Sequence, residues 1–341
     1  MPNYTASALA KAQAKYSKNF DKPELRRKQN PALMLALKNR DVTMPDHETL
    51  RLKESRPFNA YYKTKRPAGS ATDKGHAHTG SKADSAEVTL TWIKIVETFA
   101  IYLKQGQSNV FDYADQLAHE IRESSENIHS RAGTLAQAFL QANRCQLAAL
   151  STGGSGSWNN STFALEITNA NSERFLQMAS TFMRNQNYRG SYDLILDSSK
   201  FADVEFALQQ GAGNSDNLSF QARGFESIAE TIETIDPNYT TGSGLIMPAG
   251  TFAGLDWNDP ANRAGKGDYD STLGGYGVLP DPLGSGLVFD FHAYTERADG
   301  SSQGGGKQDE VLQAEVTLTI GWAVPPISTA QESVIYELAQ L

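Results

Sequence analysis

The side chains that could do chemistry are few and scattered. Two histidines, His76 and His78, flank one alanine inside KTKRPAGSATDKGHAHTGSKAD, residues 63 to 84, a run without Leu, Ile, Val, Met or aromatic side chains. In an extended chain alternate residues share a side, so the two imidazoles have a metal-compatible spacing. No third histidine follows at a matching interval, and Asp73 and Asp84 are the nearest carboxylates. A polar tip is therefore the preferred reading, with a soluble α+β metal-dependent enzyme using this loop as an alternative. His119 and His129 lie ten residues apart in a helical segment, and at about 100° per residue they fall on different faces. The GGSGS at 153 to 157 runs into Trp158 and Asn159 instead of the Lys-Ser/Thr of a phosphate-binding loop. One Gly-x-Ser-x-Gly match, Gly300 to Gly304, sits in a loop with no helix after it and no His or Asp partners. Cys145 is the single cysteine, which excludes an intrachain disulfide and zinc modules built on two or four cysteines. The expectation is a non-enzyme with no catalytic residue, no metal and no cofactor.

Charge says more than motif. The net charge of −8 hides an asymmetry: residues 1 to 75 hold 16 Lys and Arg against seven acids, a net of +9, leaving −17 for the rest. A basic arm on an acidic body suits attraction to other copies of that body, to nucleic acid, or to both. The N-terminal 20 residues lack the apolar core of a signal peptide, and no stretch is apolar enough to cross a bilayer, so the expected setting is cytosolic, without membrane.

The elements that must position these groups are read from periodicity. A short helix is predicted over Ala8 to Tyr16, capped by Ser7, and another over PALMLALKN with Pro31 in its first turn. Pro23, Pro31 and Pro45 break up the rest of an arm that must borrow its stability elsewhere. TLRLKES, FNAYYKT and EVTLTWIKIVETFAIYL look strand-like, the last alternating Val88, Leu90 and Trp92 with Thr89 and Thr91. With the apolar-free run between them, they predict an extended two-stranded hairpin that needs a partner surface. Residues 109 to 150 carry apolar side chains in steps of three and four, from Val110 through Leu117, Ile121, Ile128 and Leu135 to Ala142, broken only at Ser124 and Ser125. One helix of roughly 60 Å is predicted, opened by an Asn109–Asp112 capping box, with Gly133 as the likeliest kink. Beyond it, helical pieces (NSERFLQMASTFMRN, SSKFADVEFALQQ, ESIAETIETI) alternate with short strands (YDLILD, GLIMP), and two alternating strands, GLVFDFHAYTE and EVLQAEVTLTIGWAV, close the chain.

In that order, and on EVTLTWIKIVETFAIYL leading into DYADQLAHEIRESSENIHSRAGTLAQAF with Val88, Leu90 and Asp112 or Asp115, the chain resembles the major capsid protein of tailed bacteriophages, the Hong Kong 97 fold. The resemblance implies an α+β fold with an N-terminal arm (1–46), an extended hairpin and return strand (47–105), a spine helix of a peripheral domain (106–150), an axial domain (151–275) and C-terminal strands of the peripheral domain (276–341). It also implies self-assembly into hexamers and pentamers of an icosahedral shell around double-stranded DNA, in a virion assembled in the host cytoplasm. A separate scaffolding protein and a portal are the further partners. An encapsulin-like nanocompartment, with enzyme cargo in place of DNA, is the alternative within the same fold. Some relatives crosslink subunits through a Lys–Asn isopeptide; no such link is expected here.

The basic residues of the hairpin, Arg51, Lys53, Arg56, Lys63, Lys65, Arg66, Lys74 and Lys82, are expected to contact a neighbouring copy. Their partners would be Asp112, Asp115, Glu120, Glu123 and Glu126 on the adjacent spine helix, while Arg26, Arg27 and Lys28 mark the basic arm. Contact with DNA phosphates needs no sequence specificity and comes second.

Overall fold

A computed structural model describes residues 4–16, 30–44, 46–63, 85–102, 113–211, 224–298, 309–325 and 332–341. The apolar stripe of the central segment forms a 30-residue helix, α5 (Tyr113–Ala142); ahead of it, among the described residues, are the helices α1 (Tyr4–Tyr16), α2 (Pro31–Lys38), α3 (Arg40–Thr43) and α4 (His47–Arg51). At about 1.5 Å per residue α5 runs roughly 45 Å, shorter than expected. It ends at Ala142, where the Asn143 side chain turns back to donate to the Phe139 carbonyl at 2.8 Å. The Asn109–Asp112 cap lies outside the described residues. Leu117, Ile121, Ile128, Ala132, Ala136 and Leu140 are all fully buried. The two serines that interrupt the stripe are buried too, because Ser125 donates 2.6 Å to Asp281.

α5 lies against a sheet ordered β10–β11–β12–β13–β3, with β9 also on β13. Its strands are β3 (Thr91–Tyr102), β9 (Ala253–Asp256), β10 (Lys266–Gly267), β11 (Gly275–Pro280), β12 (Val288–Ala298) and β13 (Asp309–Ala323). β13 is central, pairing antiparallel with β3 from Val311↔Tyr102 to Trp322↔Thr91. Alternation sends Leu312, Ala314, Val316, Leu318, Ile320 and Trp322 to the face that meets the helix, with Ile95, Ile101, Phe289 and Phe291 beside them. β1 (Asn59–Lys63) and β2 (Ser85–Thr89) form a separate two-stranded antiparallel sheet, and β2 leads through Leu90 into β3.

A second sheet is ordered β4–β5–β14–β8–β6–β7, from β4 (Ser157–Asn159), β5 (Ala164–Ile167), β6 (Tyr192–Asp197), β7 (Phe225–Thr231), β8 (Ser243–Pro248) and β14 (Tyr336–Gln340). It is mixed, with β14 parallel to β5 and β6 parallel to β7. Helices α6 (Phe175–Asn185) and α7 (Ser198–Gly211) bring Phe175, Phe182, Met183 and Val204 to its core. A short helix α8 (Pro260–Ala264) follows β9.

Five expectations change. TLRLKES is not a strand: α4 occupies its first half, because a helical turn there aims Arg51 at a buried carboxylate of β9. ESIAETIETI is not a helix: its first six residues belong to the strand β7, where Ile228 and Thr231 suit pairing beside β6. Gly133 is no kink; α5 runs through it, and its missing side chain makes room for Asn30, which a Cβ would overlap. Sheet membership also departs from a division at residue 275, since β9 and β10 belong to the first sheet and β14 belongs to the second. The arm is also less dependent than expected: α1 and α2 bury Ala8, Leu9, Ala12, Ala32 and Leu33 in the first core of their own chain.

Candidate assembly surface

The segment from α2 to β1 is held by buried polar side chains that come from both sheets. Asn30 caps α2, its Oδ1 accepting from Ala32 N at 3.0 Å, and its amide donates to Gln137 Oε1 of α5 at 3.1 Å. Asn39 donates 3.0 Å to Asp193 of β6, a fully buried carboxylate that also accepts from Ser227 at 2.6 Å. The next residue, Arg40, reaches the opposite sheet: its Nη1 is 3.2 Å from Asp256 Oδ1 on β9, and Arg51 Nη2 is 2.7 Å from Oδ2. Burial pushes the Asp256 carboxyl above its ordinary value, and the Arg51 and Arg40 guanidinium groups pull it back. Two consecutive residues thus tie one strap to two sheets.

Beyond Arg51 the chain becomes an outward knuckle fixed by its backbone. Arg263 Nη1 donates to the Leu52 carbonyl at 3.0 Å, and Arg263 Nη2 and Trp257 Nε1 donate to the Lys53 carbonyl at 2.9 and 3.1 Å. Trp92 Nε1 donates to the Pro57 carbonyl at 2.7 Å, and Leu90 N to the Phe58 carbonyl at 2.7 Å. With the carbonyls turned inward, side chains face out: Leu52 is 66% and Phe58 61% exposed. The Arg56 guanidinium lies 5.6 Å from the ring centroids of both Phe58 and Trp92, a cation–π sandwich. Lys53 is exposed as well.

Three of the expected acidic partners, all on α5, are engaged within their own chain. Asp115 pairs with Lys15 of α1. Glu123 is 3.6 Å from His119 and Glu126 is 3.5 Å from Arg122, both one turn apart on the same helix. Burial raises the Glu120 carboxyl. Arg51, expected to reach a neighbour, is taken by Asp256 of its own chain. The side chains of Lys63, Lys65, Arg66, Lys74, Lys82, Asp112, Arg26, Arg27, Lys28, His76 and His78 lie outside the described residues. Sequence reasoning missed Asn39, Arg40, Asp193, Asp256, Phe58 and Trp92. Only the adjacency of Asn39 and Arg40 between two short helices was a local signal, and its partners are more than 150 residues away.

One buried cluster has the composition of a hydrolase triad. His129 Nε2 donates to Asp281 Oδ2 at 2.9 Å, and Ser125 donates to Oδ1 at 2.6 Å, while Ser285 adds its hydroxyl and its N–H. Both Ser125 and His129 therefore donate to the same carboxylate, so the serine has no base at its hydroxyl, and both are fully buried. Burial alone would raise the Asp281 carboxyl, but these hydrogen bonds and the His129 ring hold it down at about 2. The cluster fastens α5 to the turn before β12. Among the described residues no group of three His, Cys, Asp or Glu side chains could hold a metal ion, and no helix is long and apolar enough to cross a membrane.

No protein-family profile and no curated protein matches the chain. It is similar to solved structures. One is the capsid asymmetric unit of cyanophage A-1(L), at 12% identity and a TM-score of 0.47 over 94% of each chain. Others are the capsid of cyanophage P-SCSP1u, at 13% and 0.44 over 85% of each chain, and that of Ralstonia phage GP4, at 8% and 0.45 over 84% of each.

Proposed function

We propose that this chain is a major capsid protein of the Hong Kong 97 type, which self-assembles into hexamers and pentamers of an icosahedral phage shell around double-stranded DNA. The observation that carries the reading is the hairpin. β1 and β2 pair with each other and, among the described residues, with no other strand. A two-stranded ribbon is marginal in water unless another surface supports it. Its tip, residues 64–84, offers no large apolar side chain with which to build a core, yet brings Lys65, Arg66, Lys74 and Lys82. Such an element makes sense as a connector to a second copy. The hairpin lysines and arginines and the arm residues Arg26, Arg27 and Lys28 then meet the acidic body of neighbours first and DNA phosphates second. A separate scaffolding protein and a portal complete the partners, the virion is the location and the host cytoplasm the place of assembly. The role is structural; the Ser125–His129–Asp281 geometry supports no acyl-transfer chemistry.

Negative-stain microscopy of the purified chain over a range of salt concentrations tests this reading. Closed shells or capsomer-sized rings are expected, weakening as salt screens the charged contacts. A monodisperse monomer at every salt concentration overturns it.

A further inference from the structure

Rings of identical subunits grow by heterologous contact, in which one face of a copy meets a different face of the next. Resting on the shell reading, this sets a requirement: one chain must carry two distinct patches that complement each other. Among the described residues, Phe58 and Phe206 are the aromatic side chains more than half exposed, at 61% and 63%. They sit on opposite charges. Phe58 belongs to the knuckle, with the Arg56 guanidinium over its ring, Lys53 exposed on the same loop and Glu54 the one acid in it. Phe206 lies on α7 with Asp203 and Glu205 exposed around it, Asp203 lying 3.4 Å from the buried Lys200 Nζ of the preceding turn.

A single exposed apolar residue is ordinary on a protein surface. The knuckle differs because five inward hydrogen bonds to the carbonyls of Leu52, Lys53, Pro57 and Phe58 fix its backbone, so its outward aromatic and arginine are ordered before any partner arrives. Pre-ordered Phe, Trp and Arg side chains with Leu at the edge are the groups from which binding hot spots are made. Of the acids near α5, Asp115, Glu123 and Glu126 already have partners within their own chain.

We infer that the Arg56–Phe58 knuckle of one copy docks on the Glu205–Phe206 face of α7 in the next copy. The two rings pack against each other, Arg56 meets Glu205, and Leu52 closes the edge of the contact. Repetition around the capsomer makes every copy both donor and acceptor.

The test compares the full-length wild-type chain with Phe58→Ser, Phe206→Ser, Arg56→Glu, Glu205→Arg and the paired Arg56→Glu/Glu205→Arg variant. Assembly is followed by light scattering and microscopy, and monomer folding by circular dichroism and thermal midpoint. All four positions are exposed, so the monomers are expected to fold as wild type. Each single substitution is expected to raise the concentration needed for assembly by about tenfold or more. The paired charge reversal is expected to recover most of that loss, the signature of two groups that face each other. Single variants that assemble like wild type overturn the contact while leaving the shell reading in place. Impaired single variants with no recovery in the pair overturn the facing of Arg56 and Glu205. A wild-type chain that never assembles strikes the shell reading, and this contact with it.

Discussion

Glu337 is a buried carboxyl held well above the ordinary carboxylate range. It is fully buried on β14, with Arg144 Nε 3.1 Å from its carboxylate and Asp236 next to it. Burial is the main cause that pushes its carboxyl from the ordinary 4.5 up to about 8; Arg144 pulls the other way and Asp236 adds to the rise. A carboxyl with a raised folded pKa stabilises the fold in its protonated form. That stability is fully present below pH 4.5 and is lost progressively as pH rises toward about 8. Glu337→Gln keeps the shape and removes the proton, so the thermal midpoint of the variant should fall less steeply between pH 5 and 8, by about one proton's worth of slope. Parallel curves for the two proteins would show that Glu337 does not hold its proton in the fold. Asp281 behaves in the opposite sense. Held at about 2 by His129, Ser125 and Ser285, it contributes stability above 3.8 that is lost only as pH falls through about 2. The Glu337 contribution is thus lost on the way to neutrality and that of Asp281 only in strong acid.

At the scale of elements, the most informative contact is the crossing of α2 and α5. Gly133 looks like a flaw in the helix, because alanine is favoured over glycine in a helix interior by about 0.5–1 kcal/mol. Here a Cβ would meet the Asn30 side chain and displace it from Gln137 and Ala32. Gly133→Ala is therefore expected to destabilise the monomer by roughly 1–2 kcal/mol, against its propensity, because overpacking and lost buried hydrogen bonds outweigh the helix gain. The control Ser130→Ala, exposed on the same helix, should be neutral or slightly stabilising in the same denaturant titration. A stabilised Gly133→Ala would show that the crossing is loose. This contact also explains why some elements were legible in the sequence and others were not. The α5 stripe and the alternation of β3, β12 and β13 are local patterns, and Leu117, Ile121 and Val316 announce their faces without help. The Gly133–Asn30 fit, the Asn39–Asp193 bond and the Arg40–Asp256–Arg51 cluster join residues about a hundred to more than two hundred positions apart, so no window of sequence contains them. TLRLKES failed for the same reason: its alternation suits a strand, and the distant Asp256 decides for a helical turn instead. ESIAETIETI failed because spacing in a short apolar run cannot separate helix from strand, and only β6 alongside it does.

For the whole molecule, the question is where the monomer ends and the assembly begins. Both cores are built without the hairpin: the first from α1, α2, α5 and the β13 sheet, the second from α6, α7 and the β8 sheet. β1 and β2 pair in a straight antiparallel register that brings Lys63 opposite Ser85. Residues 64–84 can then be replaced by Asn-Gly, a two-residue turn that closes such a pair. The shortened chain is expected to remain a folded monomer with a thermal midpoint close to that of wild type, because the removed residues include no Leu, Ile, Val, Met or aromatic side chain from which a core is built. On the proposed reading the same chain should form no shells at any salt concentration, because it lacks Lys65, Arg66, Lys74 and Lys82, which that reading assigns to the acidic body of a neighbouring copy. Circular dichroism and light scattering on one preparation read both outcomes. A chain that fails to fold would place the tip in the monomer's core, and a chain that still assembles would leave the knuckle and α7 to hold the rings alone. The two results separate what stabilises one copy from what joins it to the next, a division already visible in a hairpin that no other described strand of its own chain completes.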